Sequence, residues 1–120
     1  MDPSPSSEIL FLIRSSPSTT RRSVEGLRIA MSFAASWDST KIVLVNEAVG
    51  LLSKDFADAE DEDIDVLEKL LPAFQDMKTL FYVENGSLND VDLDPLFSVV
   101  PVSRIQISDM LANSSYSMIF

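Results

Sequence analysis

Hydrophobic and polar positions fall along this chain in two kinds of block. Residues 9–13 (ILFLI) are apolar without interruption and lie between polar, Ser- and Pro-rich segments. A continuous apolar run of this length is typical of a parallel strand covered by helices on both sides. Residues 41–45 (KIVLV) repeat the pattern with β-branched side chains. Residues 79–83 (TLFYV) predict a third strand. Residues 97–102 contain a short fourth strand limited by Pro101, and 116–120 (YSMIF) predict a last one.

Between these runs the apolar period lengthens to that of a helix. After the loop at 14–20, whose Ser and Thr residues are good N-caps, the helical pattern runs to about Ser36. Val24, Leu27, Met31 and Ala34 form its stripe, broadened by Ile29, Phe33 and Trp37. Gly26 inside it predicts close approach to the sheet. Residues 48–52 (AVGLL) predict a short helical turn. Leu67, Leu70, Leu71, Phe74 and Met77 stripe a further helix, in which Pro72 predicts a kink or break near Leu71. Ser103 predicts the cap of a helix reaching about Asn113, with Ile107, Met110 and Leu111 inward. Strands alternating with helices predict an α/β three-layer sandwich, a mostly parallel sheet of about five strands with helices on both faces. Residues 1–7 read as a flexible N-terminal tail and 8–120 as a single domain.

Composition then narrows the chemistry. The 120 residues are 46% hydrophobic, enough for one small core at a size where oligomerisation often adds burial. A net charge of −10 at pH 7 disfavours nucleic acid and anionic membrane as partners, since both require basic surface. With no cysteine and no visible signal peptide, a cytoplasmic location is expected. The absence of cysteine and histidine removes thiol, imidazole and zinc-thiolate chemistry, and a serine triad has no base. The acidic stretch Asp55, Asp58, Glu60, Asp61, Glu62 and Asp63 lacks the glycine and spaced ligands of a calcium loop. It reads as a solvated run whose acids favour the start of the next helix. No metal, no cofactor and no catalytic set is therefore expected, and the chain does not read as an enzyme.

Parallel α/β sheets place their sites at the carboxyl ends of the strands. Those ends supply Arg14, Ser15, Ser16, Glu47, Glu84, Asn85 and Gly86 as candidate pocket residues. The loop from Ser15 to Thr20, with Arg14, Arg21 and Arg22, would offer hydroxyls and a helix N-terminus to an anion. It contains no glycine, so it is neither a P-loop nor a dinucleotide fingerprint, and a capped helix with solvated arginines is the simpler reading. Glu47 and Glu84 could share acid-base work if they lie close together; two separate loop acids is the simpler alternative.

Four stretches, in order, resemble one known family. They are Arg21-Arg22-Ser23-Val24-Glu25-Gly26-Leu27 after the first strand, and Val45-Asn46-Glu47-Ala48-Val49, where the family commonly shows Asp-Gly-Val. Val83-Glu84-Asn85-Gly86-Ser87-Leu88 follows, then Leu111-Ala112-Asn113 with Tyr116-Ser117-Met118-Ile119-Phe120. The chain resembles the DsrE/DsrF-like family over nearly its whole length, and within it the DsrF and TusC branch of sulfur-relay subunits. The resemblance implies a role in handling sulfur, in sulfur oxidation or tRNA thiolation, and assembly as a homo-trimer or homo-hexamer or as a hetero-oligomer with DsrE- and DsrH-like subunits. The sulfur-carrying members hold persulfide on a cysteine near the end of a central strand; here Glu84 ends the third strand. A carboxylate forms no persulfide, so the resemblance implies a non-catalytic accessory subunit. The competing reading is a homo-oligomeric module binding a small anion or nucleotide at the strand ends.

Overall fold

A computed structural model describes residues 8–16, 21–34, 40–53, 61–87 and 92–120. Strands β1 (Ile9–Ile13), β2 (Thr40–Leu44), β3 (Leu80–Glu84), β4 (Ser98–Val102) and β5 (Tyr116–Ile119) form one sheet in the order β4-β3-β2-β1-β5. Every pairing is parallel, with Ile9 opposite both Thr40 and Tyr116, Ile42 opposite Phe81, and Leu80 opposite Ser98. Helices α1 (Arg22–Ala34), α2 (Asp61–Asp76) and α3 (Arg104–Asn113) connect them, with 3-10 helices at Asn46–Leu52 and Asn85–Ser87. The predicted tail at 1–7, the caps Ser18, Thr19 and Thr20, Trp37, and the acids Asp55, Asp58 and Glu60 lie outside the described residues.

The strand period of two divides each apolar run between two cores. Ile9, Phe11 and Ile13 join Ile42, Leu44, Phe81 and Val83 on one face. Leu10 and Val43 join Val102 and Ile107 on the other. Which helix covers which face follows from handedness. Parallel crossovers are right-handed. The steps from β1 through β4 all move one way across the sheet, so their connections share a face. Val24, Leu27 and Ala30 of α1, Leu67, Leu71 and Phe74 of α2, and Phe97 before β4 all pack there. The step from β4 to β5 reverses direction, so α3 crosses the opposite face, placing Ile107, Met110 and Leu111 inward.

The second face is only partly covered. A helix of 10 residues is about 15 Å long and runs diagonally, from the end of β4 at one edge to the start of β5 at the other. The corners it leaves open hold Leu80 and Ile119, 48% and 49% exposed.

Helix α2 does not break at Leu71. It continues through Pro72 to Asp76. Pro72 and Glu68 are both on the exposed side, so the carbonyl left without a donor faces water. The buried stripe of Leu67, Leu71 and Phe74 holds the helix on either side. Met77 falls beyond the helix end and is exposed rather than inward. Helix α3 starts as expected: Ser103 Oγ accepts from the Gln106 N–H at 3.1 Å, and the Ser103 N–H donates to the Gln106 side chain at 2.7 Å, a complete capping box. Pro101 sits in β4, at the sheet edge, where no ladder bond is lost on the outer side.

Candidate functional site

In an open parallel sheet, the crevice forms where neighbouring strands send their exits to opposite faces. Here that point lies between β3 and β4. The chain leaving β3 turns toward the α1 and α2 face, and the chain leaving β4 enters α3 on the other. A cleft of about 490 Å³ opens there, lined by Asn46, Glu84, Asn85, Gly86, Ser87, Ser103 and Arg104.

Glu84 is the centre of this cleft. As the last residue of β3 it faces the α3 side, since Phe81 and Val83 face the other. It is only 8% exposed. Ser87 Oγ donates to Glu84 Oε1 at 2.8 Å, and Arg104 Nε donates to Oε2 at 2.8 Å. The Ser87 hydroxyl is itself oriented, accepting from the Asn46 N–H at 2.9 Å. Asn46 sits at φ 53, the left-handed region that Asn tolerates better than most residues, and this turns the chain out of β2 toward Ser87. The hydrogen bond from Ser87 lowers the Glu84 pKa most; burial opposes it, and Arg104 and the Asn46 backbone lower it further.

A lowered carboxyl pKa stabilises the fold above the unfolded value and is lost as pH falls through the folded one. Wild type should therefore lose stability relative to Glu84→Gln as pH is taken from neutrality to below 4.5, the ordinary value for this group. Urea denaturation of both proteins across that range checks it; parallel acid limbs would show that Glu84 contributes nothing.

The candidate residues read from the sequence divide among three places. Glu84, Asn85 and Gly86 meet in the cleft. Glu47 is exposed on the first turn of the 3-10 helix and does not line it. Arg14, Ser15 and Ser16 follow β1 and do not line the cleft; the N–H groups of Arg14 and Ser15 and the Ser15 Oγ, at 2.6 Å, all point to the Phe120 backbone oxygen. Ser103 and Arg104 are the cleft residues that sequence reasoning missed; Asn46 and Ser87 lie in the strand ends it pointed to, 46–49 and 84–87, without being among the named candidates. The rule that sites lie at strand ends would have reached Ser103 and Arg104 had it been applied to the fourth strand. Among the described residues no group of acidic side chains is placed to hold a metal ion, and no helix is long and apolar enough to cross a membrane.

A parallel α/β domain with a polar cleft at its switch point is the class that fold and site define. The DsrE/DsrF-like family model matches residues 7–120, and the chain belongs to that family, whose members are associated generally with sulfur relay. The crystal structure of the YchN protein from E. coli is similar in fold, with a TM-score of 0.71 at 12% sequence identity, covering 95% of this chain and 99% of that one. No curated protein sequence matches the chain.

Proposed function

We propose that this chain is a non-catalytic, oligomer-forming subunit accessory to cytoplasmic sulfur relay, of the DsrF and TusC kind. The observation that carries the reading is Glu84. In a member of this family with no cysteine anywhere, the end of β3 holds a buried carboxylate tied down by Ser87 and Arg104. Such a group accepts no sulfur. Its lowered pKa is also ill matched to taking a proton near neutral pH, which weighs against an acid-base enzyme using Glu84. The chain would instead supply packing surface, as a trimer or hexamer or with DsrE- and DsrH-like subunits whose thiol completes the assembly.

Size-exclusion chromatography with light scattering tests this, with the chain alone and mixed with cysteine-bearing DsrE-like subunits. Oligomers or co-elution are expected; a strict monomer that joins none of them would overturn the reading. The competing reading, an anion- or nucleotide-binding module, draws support from Arg104 and the N-terminus of α3 at the cleft. Glu84 opposes it, because its negative charge already occupies the arginine. Under the accessory-subunit reading, millimolar phosphate or nucleotide leaves the melting temperature unchanged; a rise would favour the binding module.

A further inference from the structure

Strand β5 closes one edge of the sheet, and among the described residues no strand lies on its outer side. The direction of its backbone can be read from its bonds to β1. The Tyr116 N–H donates to the Glu8 oxygen at 3.1 Å and the Phe120 N–H to the Leu12 oxygen at 2.9 Å, while the Phe120 oxygen accepts from Arg14 and Ser15. In a parallel ladder the N–H and C=O of alternate residues face the same neighbour. Tyr116, Met118 and Phe120 therefore face β1, and the polar groups of Ser117 and Ile119 point out of the sheet. Arg22 reaching the Ile119 oxygen at 3.3 Å agrees with this.

An open edge is normally blunted by charge, proline or a bulge. At the other edge β4 carries Pro101. Strand β5 (YSMI) carries neither charge nor proline, in a chain of net charge −10. Its side chains are exposed, Tyr116 at 66%.

We propose that β5 pairs antiparallel with β5 of a second copy of this chain, about a two-fold axis at Met118, doubling the sheet. The edge is self-complementary in this register. Ser117 stands opposite the partner's Ile119, and the two exchange both N–H···O bonds; the Ile119 oxygen has a second lone pair for Arg22. On the α1 and α2 face, Tyr116 meets the partner's Phe120 and Met118 meets the partner's Met118. These are apolar pairs of the kind that stabilise sheets. A strip with no acidic side chain, bordered by Arg22, is also where two strongly acidic chains approach with least repulsion. The interface is short, so pairing is expected to depend on concentration. It does not rest on the sulfur-relay reading, and it fits any assembly with an even number of chains.

Analytical ultracentrifugation over a concentration series tests it. Wild type is expected to reach twice the mass of Ser117→Pro, a substitution that removes only an outward N–H, with folding checked by circular dichroism. Met118→Lys and Met118→Glu place like charges across the axis, so each alone should halve the mass, and an equimolar mixture should restore it. Should Ser117→Pro not fold, the Lys and Glu pair decides. Four results would overturn the proposal: a wild-type monomer at every concentration, a folded Ser117→Pro with unchanged mass, a Met118→Lys or Met118→Glu variant with unchanged mass, or a mixture that stays dissociated.

Discussion

Phe81→Ala is expected to destabilise the domain by about 3–5 kcal/mol, the range for truncating a fully buried aromatic ring. Phe81 is completely buried as the second residue of β3. Its ring meets Phe74 of α2 edge-on at 5.4 Å and Phe97, before β4, edge-on at 5.6 Å. It thus joins the sheet, a helix and the β3–β4 connection in one cluster, and edge-to-face contacts add to its buried area. None of these neighbours can close the gap without leaving the others. Small domains have total stabilities of about 5–15 kcal/mol, so the loss is a large fraction. The adjacent Leu80 faces the open corner of the other side, and Leu80→Ala should stay within about 0.5 kcal/mol. Urea midpoints and slopes of the two variants check the contrast. A loss of less than about 1 kcal/mol for Phe81→Ala would mean that the ring cluster collapses around the hole.

Gly26→Ala should destabilise, against the sign that helix propensity alone predicts. In the middle of a helix the change ordinarily gains about 1 kcal/mol. Here a Cβ on Gly26 would stand 2.8 Å from Phe120 Cγ and 3.0 Å from its Cβ. Those atoms lie near the root of the side chain and have little room to swing away. The Phe120 ring also stacks on Phe11 at 6.3 Å, and its backbone is tied to Leu12, Arg14 and Ser15. Overpacking of this kind costs about 1–3 kcal/mol, leaving a net loss of up to about 2 kcal/mol. With Phe120→Gly in the background all of these contacts disappear, and Gly26→Ala should become stabilising. A double-mutant cycle by chemical denaturation reads that reversal of sign; additive effects would show that the two residues do not touch.

The strands were legible because each central one is buried on both sides, and such burial demands uninterrupted apolar runs like 9–13 and 41–45. The capping box at Ser103 was half legible, since its hydroxyl lies next to its partners in the chain. Pro72 misled because a proline's cost depends on whether water reaches the freed carbonyl, which burial decides. The cleft was less legible. Glu84 was found as a strand end, but its link to Arg104 crosses a whole connection of the chain.

By itself the sequence determined the α/β class, the parallel sheet and the chemistry that cysteine- and histidine-free composition excludes. These follow from local period and composition, which act over a few residues. Tertiary structure alone decided that α1 and α2 share one face while α3 crosses the other. That reversal opens the cleft between β3 and β4, brings Arg104 and Ser87 onto Glu84, seats Phe120 on Gly26, and leaves β5 at the edge of the sheet. The physical reason is the same for each. They depend on the direction of a crossover and on contacts between residues distant in the chain, and no local pattern encodes either.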